Sequence, residues 1–356
     1  MPPNLIFPPK GRPMNIICFG SGSGTTIEAI IGRERKGGAN YKVRGILVNK
    51  KCRCIDIAKQ FNVPLIYNSR KLFLGERFER PTEKDLEEYD KRNLESIREL
   101  EEKEGFETDL ICLAGYWSII SNPLIETFED RIINSHPADL SVLDKKGGRK
   151  YAGVYGHHAI LEAIRNKEKG TRTCIHMVTE GVDAGEILAT SRMLQFPKEL
   201  KNILKGGNER ELEAFAYSHQ ELQKRRCDYP AYLKALGLVS FSRLSLGEGE
   251  SGKRTVYLDG KPLGYEGFVM EQMRCDLTEL GHGRVQAMFS QPIAPLSGEE
   301  LFRVFRFGKE CEIISKGKEI IGIRASRELV EEFLARVDES GEAIEAYKKC
   351  GNKKMA

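Results

Sequence analysis

The chain has 356 residues, of which 40% are hydrophobic and 30% are charged, and its formal net charge at pH 7 is +4. This composition is typical of a soluble globular chain with more than one domain, and it argues against intrinsic disorder. The near balance of basic and acidic residues argues against nucleic-acid binding, and no apolar run approaches the roughly 18–20 residues that a membrane helix needs. We therefore expect a protein that binds neither nucleic acid nor membrane.

The first residues and the cysteines indicate a cellular location. Residues 1–13 are too rich in proline for a signal peptide, and they predict an irregular leader. The nine cysteines are scattered, and the only close pair, Cys52 and Cys54, has no second pair at the spacing of a zinc site. We expect reduced structural thiols, no bound metal and a cytoplasmic protein.

Apolar runs alternate with amphipathic stretches through the first half of the chain. Six runs predict strands, and they span 15–19, 43–49, 63–67, 109–115, 131–136 and 173–180. Strand–helix alternation predicts an α/β fold with a doubly wound, mainly parallel sheet. Ligands of such sheets bind beyond the carboxyl ends of the strands.

After residue 240 the pattern changes. Residues 255–268 surround Asp259-Gly260, which is a strong signal for a β-hairpin. Residues 310–325 predict a second hairpin, and 327–337 predict a helix. We predict one domain over 14–268 and a small α+β C-terminal extension over 269–356, whose role is unknown and through which the chain could form a homo-oligomer.

A glycine-rich loop, "GSGSGTT" (Gly20–Thr26, here the glycine loop), comes after the first predicted strand of the sheet and opens a helix. Backbone N–H groups without side chains, together with the positive end of a helix dipole, predict a phosphate site. The spacing matches neither the dinucleotide fingerprint nor a Walker A loop. A tight turn that binds no ligand is the structural alternative.

Polar side chains stand at the end of the fifth predicted strand. Asn134 and His136 lie on one face of it, and Pro137 turns the chain away. An amide N–H can stabilise an oxyanion, and an imidazole can act as a general acid or base. Asp183, in a turn after the sixth strand, could pair with the imidazole. Each residue alone also allows a structural role, as does His176 inside the apolar strand.

Several stretches together resemble the phosphoribosylglycinamide formyltransferases, the folate-dependent enzymes of purine synthesis. The stretch "NIICFGSGSGTTIEAII" is similar to their opening strand, loop and helix. "LICLAGYWSIIS" resembles their "VVLAGFMRILS", and "INSHP" resembles their "LNIHP". "VTEGVDAGEIL" resembles their folate loop, "SHQE" their "QTQE", and "YLDGKPLGYEGF" their "WLDGQRLPPQGY". The resemblance covers about residues 14–268.

The resemblance implies roles for individual residues. Asn134, His136 and Asp183 match the catalytic trio, and Glu221 matches a carboxylate that holds the substrate amine. The residues matched to the phosphate-contacting loop are Gly24, Thr25 and Thr26. Those matched to the folate pocket are Trp117, Ser118, Ile119, Ile120, Thr179 and Val182. Ser118 stands where the family usually has Arg, and Thr-Thr stands where it usually has Ser-Asn.

The implied activity is formyl transfer from 10-formyltetrahydrofolate, as co-substrate, to the primary amine of phosphoribosylglycinamide, without a metal. Two departures leave the acceptor open: "LDKKGGRKYAGVYG" lengthens the loop after His136, and "LQKRRCD" widens the gap before Tyr229-Pro230. The alternatives are formyl transfer to methionyl-tRNA or an amino sugar, and an inactive ligand-binding regulator with the same fold.

Overall fold

The computed structural model describes residues 3–198, 200–249, 252–270, 275–281, 284–293, 312–316 and 319–326. The chain divides into two compact units, Met1–Met270 and Glu271–Ala356. The boundary predicted from the sequence at residue 268 lies close to this division.

The secondary structure alternates strands and helices through most of the first unit. The strands are β1 (Asn4–Leu5), β2 (Met14–Gly20), β3 (Tyr41–Val48), β4 (Leu65–Tyr67), β5 (Leu110–Leu113), β6 (Ile132–His136), β7 (Gly170–Thr171), β8 (Cys174–Met177), β9 (Ile187–Thr190), β10 (Leu194–Gln195), β11 (Leu244–Glu248), β12 (Arg254–Leu258), β13 (Lys261–Pro262), β14 (Phe268–Val269), β15 (Cys275–Gly281), β16 (Arg284–Ile293), β17 (Glu312–Lys316) and β18 (Glu319–Ser326). The helices are α1 (Thr25–Arg35), α2 (Cys54–Phe61), α3 (Arg70–Leu74), α4 (Glu83–Glu104), α5 (Asn122–Thr127), α6 (His157–Arg165), α7 (Leu200–Gly206), α8 (Glu209–Gln223) and α9 (Tyr229–Ser240), with a 3₁₀-helix at Gly75–Glu79 and a π-helix at Lys224–Asp228.

An eight-stranded sheet forms the centre of the first unit, in the order β14-β9-β8-β6-β5-β2-β3-β4. The strands from β6 to β4 are parallel, whereas β8 is antiparallel to both of its neighbours. The six predicted strands correspond to β2, β3, β4, β5, β6 and β8, so the predicted α/β fold with a mainly parallel sheet is confirmed. Strands β9 and β14, which extend the sheet at one edge, were not predicted from the sequence.

Apolar side chains cover both faces of this sheet. Successive residues of β2 point to opposite faces, so Ile16 packs with α1 and α9 side chains and Ile17 packs with α4 side chains. A strand buried on both faces needs a continuous apolar run, which is what β2 has. Helix α4 begins at a capping box between Thr82 and Asp85, and its inner face buries Ile97 and neighbouring side chains.

The leader and the first hairpin belong to a smaller sheet with the order β1-β11-β12-β13. The leader is not irregular throughout, because Asn4–Leu5 pairs with β11 and Phe7 is buried in the core. The predicted hairpin is confirmed, because β12 and β13 pair with each other. The turn that joins them consists of Asp259 and Gly260, both of which have positive φ angles. In the part of the chain that the structure describes, no helix is both long and apolar enough to cross a bilayer.

The described residues of the second unit form an antiparallel sheet with the order β15-β16-β18-β17. Strands β17 and β18 pair directly, which confirms the second predicted hairpin. The predicted helix at 327–337 lies outside the described residues.

Candidate active site

Three predicted site segments lie at one edge of the central sheet. β2, β5 and β6 are neighbouring parallel strands. The glycine loop, the segment after β5 and the end of β6 therefore all lie at the carboxyl ends of these strands. His136 pairs in register with Cys174, the first residue of antiparallel β8. The loop after β8 (178–186, here the Asp183 loop) therefore begins at the other end of this strand pair and folds back to bring Asp183 to His136.

The side chains of His136 and Asp183 are in contact. Nδ1 of His136 lies 3.2 Å from Oδ2 of Asp183, and the same oxygen accepts a hydrogen bond from the Gly153 backbone N–H at 2.8 Å. His176 lies on the other side, with Nε2 3.4 Å from Asp183 Oδ1 and Nδ1 2.8 Å from the Met177 carbonyl oxygen. Burial raises the pKa of Asp183, but the contacts with both imidazoles outweigh it and hold the pKa well below its usual range.

The contact with Asp183 determines which nitrogen of His136 is available. A carboxylate accepts hydrogen bonds, so Nδ1 of His136 carries the proton that faces it. Nε2 is buried and has no hydrogen-bond partner among the described residues. His136 is only 4% exposed, which is more enclosed than a position at a strand end suggests. One ring nitrogen is thus held against a carboxylate, and the other is buried without a partner in the described part of the chain.

Asn134 lies on the same face of β6 as His136. It stands two residues earlier in the strand and pairs in register with His176 on β8. The side chain is half-buried. The structure thus brings Asn134, His136 and Asp183 together around one patch of the sheet. His176, for which the sequence allowed a structural role, is an additional neighbour.

The Asp183 loop has an unusual backbone that several contacts fix. Asp183 has a φ of 51°, in the left-handed region. A Cβ on Gly185 would lie 2.0 Å from the Met177 carbonyl oxygen, so only glycine fits there. Arg149 donates a hydrogen bond to the Asp183 backbone carbonyl and another, from Nε, to the Tyr265 hydroxyl at 2.8 Å. The lengthened segment after His136 therefore supplies an anchor for this loop.

The glycine loop is shaped by close packing. Gly24 has a φ of 66° and precedes α1, and no side chain caps the N–H groups of that helix. A Cβ on Gly24 would lie 2.6 Å from Ile57 Cδ1 and 3.0 Å from Cys54 Sγ. The uncapped helix N-terminus keeps the features on which the phosphate prediction rests.

The four residues after Tyr116 do not share one environment. Trp117 and Ile119 are 68% and 63% exposed, whereas Ile120 packs in the hydrophobic core with α4 and α5 side chains. Ile120 therefore differs from the prediction of a pocket-lining side chain. The Oγ atom of Ser118 is buried without a hydrogen-bond partner in the described part of the chain. The Trp117 N–H donates to Ser21 Oγ at 2.9 Å, which ties this segment to the glycine loop.

The other two residues matched to the folate pocket lie in the Asp183 loop. Val182 is 59% exposed, and Thr179 is half-buried with its hydroxyl 3.4 Å from the Glu180 carbonyl oxygen. Both stay predictions as folate contacts.

Two carboxylates near the end of α8 differ in their surroundings. The Glu221 side chain is 64% exposed and forms an ion pair with Lys224, so the structure does not bring it against His136 or Asp183. Asp228 is half-buried and accepts a hydrogen bond from Thr173 Oγ1 at 2.5 Å.

A family model described as formyl transferase matches residues 14–214, which is more than half of the chain. The chain belongs to the formyl transferase family. This confirms the resemblance seen in the sequence, and it places all the predicted catalytic, phosphate and folate residues within the matched range. Among the described residues, no group of three or more His, Cys, Asp or Glu side chains is arranged to hold a metal ion.

Relatives of this formyl transferase include phosphoribosylglycinamide formyltransferases. The protein from Haemophilus influenzae is 28% identical over 254 residues, which span 70% of this chain and 96% of that one. The chloroplastic protein from Vigna unguiculata is 31% identical over 179 residues, which are 50% of each protein. The structure of the Coxiella burnetii phosphoribosylglycinamide formyltransferase aligns with a TM-score of 0.51 and 24% identity, over 73% of this chain and 100% of that one. This structural likeness supports the fold.

Proposed function

We propose that this formyl transferase moves a formyl group from 10-formyltetrahydrofolate to the primary amine of phosphoribosylglycinamide. The proposal is supported by the family and by the Haemophilus influenzae relative, which matches over nearly its whole length. The observation that carries the chemistry is the contact of His136 with Asp183, which leaves Nε2 of the imidazole buried without a partner among the described residues.

In the proposed reaction, the lone pair of the amine attacks the formyl carbon, and the electrons of the C=O bond move to the oxygen. The side-chain N–H of Asn134 stabilises this oxyanion, and His136, once protonated, adds positive charge beside it. The intermediate then collapses, the C–N bond to the folate nitrogen breaks, and the C=O bond re-forms. The products are the N-formyl acceptor and tetrahydrofolate.

One proton must move during this reaction. His136 Nε2 takes it from the attacking amine and delivers it to the leaving folate nitrogen, directly or through water. Asp183 stabilises the imidazolium that exists between these two steps, because its carboxylate lies 3.2 Å from Nδ1. Losing the Asn134 donor is expected to slow turnover on the order of 100–1000-fold.

The two substrates are assigned to different segments. The glycine loop and the N-terminus of α1 hold the phosphate of the acceptor, since a phosphate there meets uncapped N–H groups and the positive end of the helix dipole. The exposed Trp117 and Ile119 side chains offer apolar surface to the folate ring system, and Lys50 Nζ lies 5.2 Å from the centre of the Trp117 ring.

The test is a formyl-transfer assay of the full-length protein with 10-formyltetrahydrofolate and three acceptors: phosphoribosylglycinamide, methionyl-tRNA and an amino sugar. We expect mass spectrometry to show formylation of phosphoribosylglycinamide alone. Transfer to another acceptor instead would contradict the assignment of substrate. Binding of a folate analogue, measured by the fluorescence of Trp117, without transfer to any acceptor would favour the inactive regulator.

A further inference from the structure

Part of the lengthened segment after His136 folds into a short hairpin at residues 142–150, here called the Arg149 hairpin. Leu143 and Arg149 pair across it as an antiparallel bridge. In its turn, the Asp144 carboxylate accepts hydrogen bonds from two backbone N–H groups, at 2.7 and 3.0 Å. Because backbone pairing and a side chain in the turn both close this hairpin, the position of Arg149 is well defined.

The Arg149 guanidinium joins two segments that are distant in sequence. It donates one hydrogen bond to the Asp183 backbone carbonyl and another, from Nε, to the Tyr265 hydroxyl at 2.8 Å. The guanidinium carbon lies 5.3 Å from the centre of the Tyr265 ring. A guanidinium has donors in a fixed planar arrangement, so it can bond to two acceptors at once. Arg149 thus connects the Asp183 loop to the segment before β14.

The Tyr265 side of this connection is attached to the central sheet. The carbonyl oxygen of the next residue, Glu266, accepts a hydrogen bond from Thr190 Oγ1 at 2.7 Å. Residues Phe268–Val269 then pair with β9, and β9 begins directly after the Asp183 loop. Arg149 therefore holds the Asp183 loop against a segment that the sheet itself fixes.

The contact with Arg149 is made where Asp183 most needs support. A left-handed φ of 51° costs free energy at a residue other than glycine, so it persists only where the surroundings stabilise it. Arg149 bonds to the backbone carbonyl, which leaves the carboxylate for the two imidazoles and for the Gly153 N–H. The lengthened segment after His136 thus contacts Asp183 twice, through Arg149 and through Gly153.

We propose that Arg149 is a positioning residue that holds the Asp183 carboxylate against His136 during proton transfer. This assignment rests on the proposed function. Arg149 acts through Asp183: without its hydrogen bond, the carboxylate lies against Nδ1 of His136 for less of the time. The imidazolium formed during the reaction is then stabilised less. The sequence showed this segment only as a lengthened loop, and the role of Arg149 follows from its contacts.

The kinetic test compares Arg149→Met with Lys145→Met in the full-length protein. Both remove one positive charge from the same hairpin, but Lys145 is exposed. We expect Arg149→Met to lower kcat with phosphoribosylglycinamide by about 10- to 100-fold, the range for losing a hydrogen bond to a charged group. The KM for the acceptor should stay unchanged, and Lys145→Met should behave as wild type. Arg149→Lys should lose less, because an ammonium group can still bond to one of the two acceptors.

A second comparison separates positioning from a general structural role. Arg149→Met is added to Asp183→Asn, which keeps the backbone carbonyl but removes the carboxylate charge. If Arg149 acts through that carboxylate, the added substitution should lower kcat little further. A general structural role would lower kcat by the same factor in both backgrounds and would overturn the proposal.

Hydrogen exchange tests the contact without any assay of activity. The Gly153 N–H is bonded to the Asp183 carboxylate, so its exchange reports whether the carboxylate stays in place. We expect a peptide that contains Gly153 to exchange faster in Arg149→Met than in wild type and Lys145→Met. Unchanged exchange in folded Arg149→Met would contradict the proposed positioning.

The possible failures can be told apart. If the wild-type protein transfers no formyl group to phosphoribosylglycinamide, the proposed function is wrong and the role of Arg149 falls with it. If the wild type is active and folded Arg149→Met has the same kcat, only the Arg149 assignment is wrong. Should thermal melts show that Arg149→Met does not fold, Arg149→Lys and Tyr265→Phe decide, since each removes part of the connection. Wild-type kcat in both would overturn the proposal.

Discussion

The glycine loop and the Asp183 loop both contribute to the candidate site, but different forces hold them. In the glycine loop, a Cβ on Gly20 would lie 2.7 Å from Cys54 Sγ, and Gly24 is packed against the same cysteine. Close packing at the two glycines fixes this backbone, together with hydrogen bonds such as that from the Ser21 N–H to the Gly115 carbonyl oxygen at 3.0 Å. In the Asp183 loop, the carboxylate contacts two imidazoles and a backbone N–H, and an arginine holds the backbone carbonyl.

This difference corresponds to the two tasks proposed for the loops. Close packing does not depend on protonation, so the glycine loop can present the same N–H groups throughout a reaction. The contacts of Asp183 depend on charge, and the proposed proton transfer changes the charge of His136 in every cycle. The loops should therefore respond differently to substitution and to pH.

The largest effect is expected on breaking the pair in the Asp183 loop. His136→Ala should lower kcat at least about 100-fold, because proton transfer loses its carrier, and the KM for the acceptor should change little. Adding Asp183→Asn to the His136→Ala variant should lower kcat only slightly further, because the two residues act as a unit. Steady-state kinetics, with thermal melts to check folding, measure this. Near-native turnover of folded His136→Ala would remove His136 from the mechanism.

A smaller effect is expected from placing a charge in the glycine loop. Thr25→Asp sets a carboxylate against the acceptor phosphate at the N-terminus of α1, where an acidic residue does not harm the helix. We expect the KM for phosphoribosylglycinamide to rise by about 10- to 100-fold and the folate KM to stay constant. The control is Thr25→Ser, which keeps the hydroxyl. A change confined to folate binding would mean that the two pockets have been exchanged.

The third prediction concerns stability against pH. The folded-state pKa of Asp183 lies below its unfolded value, so its contribution to the free energy of unfolding is present above about pH 4 and is lost as the pH falls below that. Asp183→Asn should therefore weaken the dependence of the free energy of unfolding on acidic pH. Urea unfolding at pH 3 to 7 tests this, and identical pH profiles for wild type and Asp183→Asn would be inconsistent with the charge-held loop.

The smallest effect on activity is expected from removing the second unit. Both loops and all their contacts described above lie before residue 270. A chain that ends after Met270 should keep measurable formyl transfer, while its solution mass or melting temperature changes if the extension mediates self-association. The truncated protein could instead be inactive while its melting temperature and its number of subunits in solution match those of the full chain. That result would show that the extension contributes to the site.

Much of the fold and the site was accessible from the sequence for identifiable reasons. Continuous apolar runs mark strands covered on both faces, and all six runs named at the start are strands of the central sheet. Asn134, His136 and Asp183 stood out because polar side chains came at or just after the ends of such runs. The proximity of His136 and Asp183 depends on antiparallel β8 and the loop after it, which the apolar runs do not specify.

Other features depend on information that a linear pattern does not contain. β14 has two residues, Phe268–Val269, and only its partner β9 makes it a strand. Ile120 looks like its exposed neighbours in sequence, but the turn after β5 directs it into the core. Glu221 was chosen by its position in a matched motif, but its side chain is 64% exposed and pairs with Lys224. Short pairing segments and the exposure of single side chains are determined by tertiary contacts.

The pairing of β14 with β9 has a consequence for synthesis of the chain on the ribosome. β9 is complete at Thr190, but its partner at the sheet edge, Phe268–Val269, emerges only after the whole of α7 to β13 has been made. Until then, the N–H and C=O groups along one side of β9 have no strand to pair with. Nascent chains expose such an edge to one another, and an unpaired edge is a starting point for aggregation. During synthesis, the central sheet thus cannot be completed before residue 269 has been made.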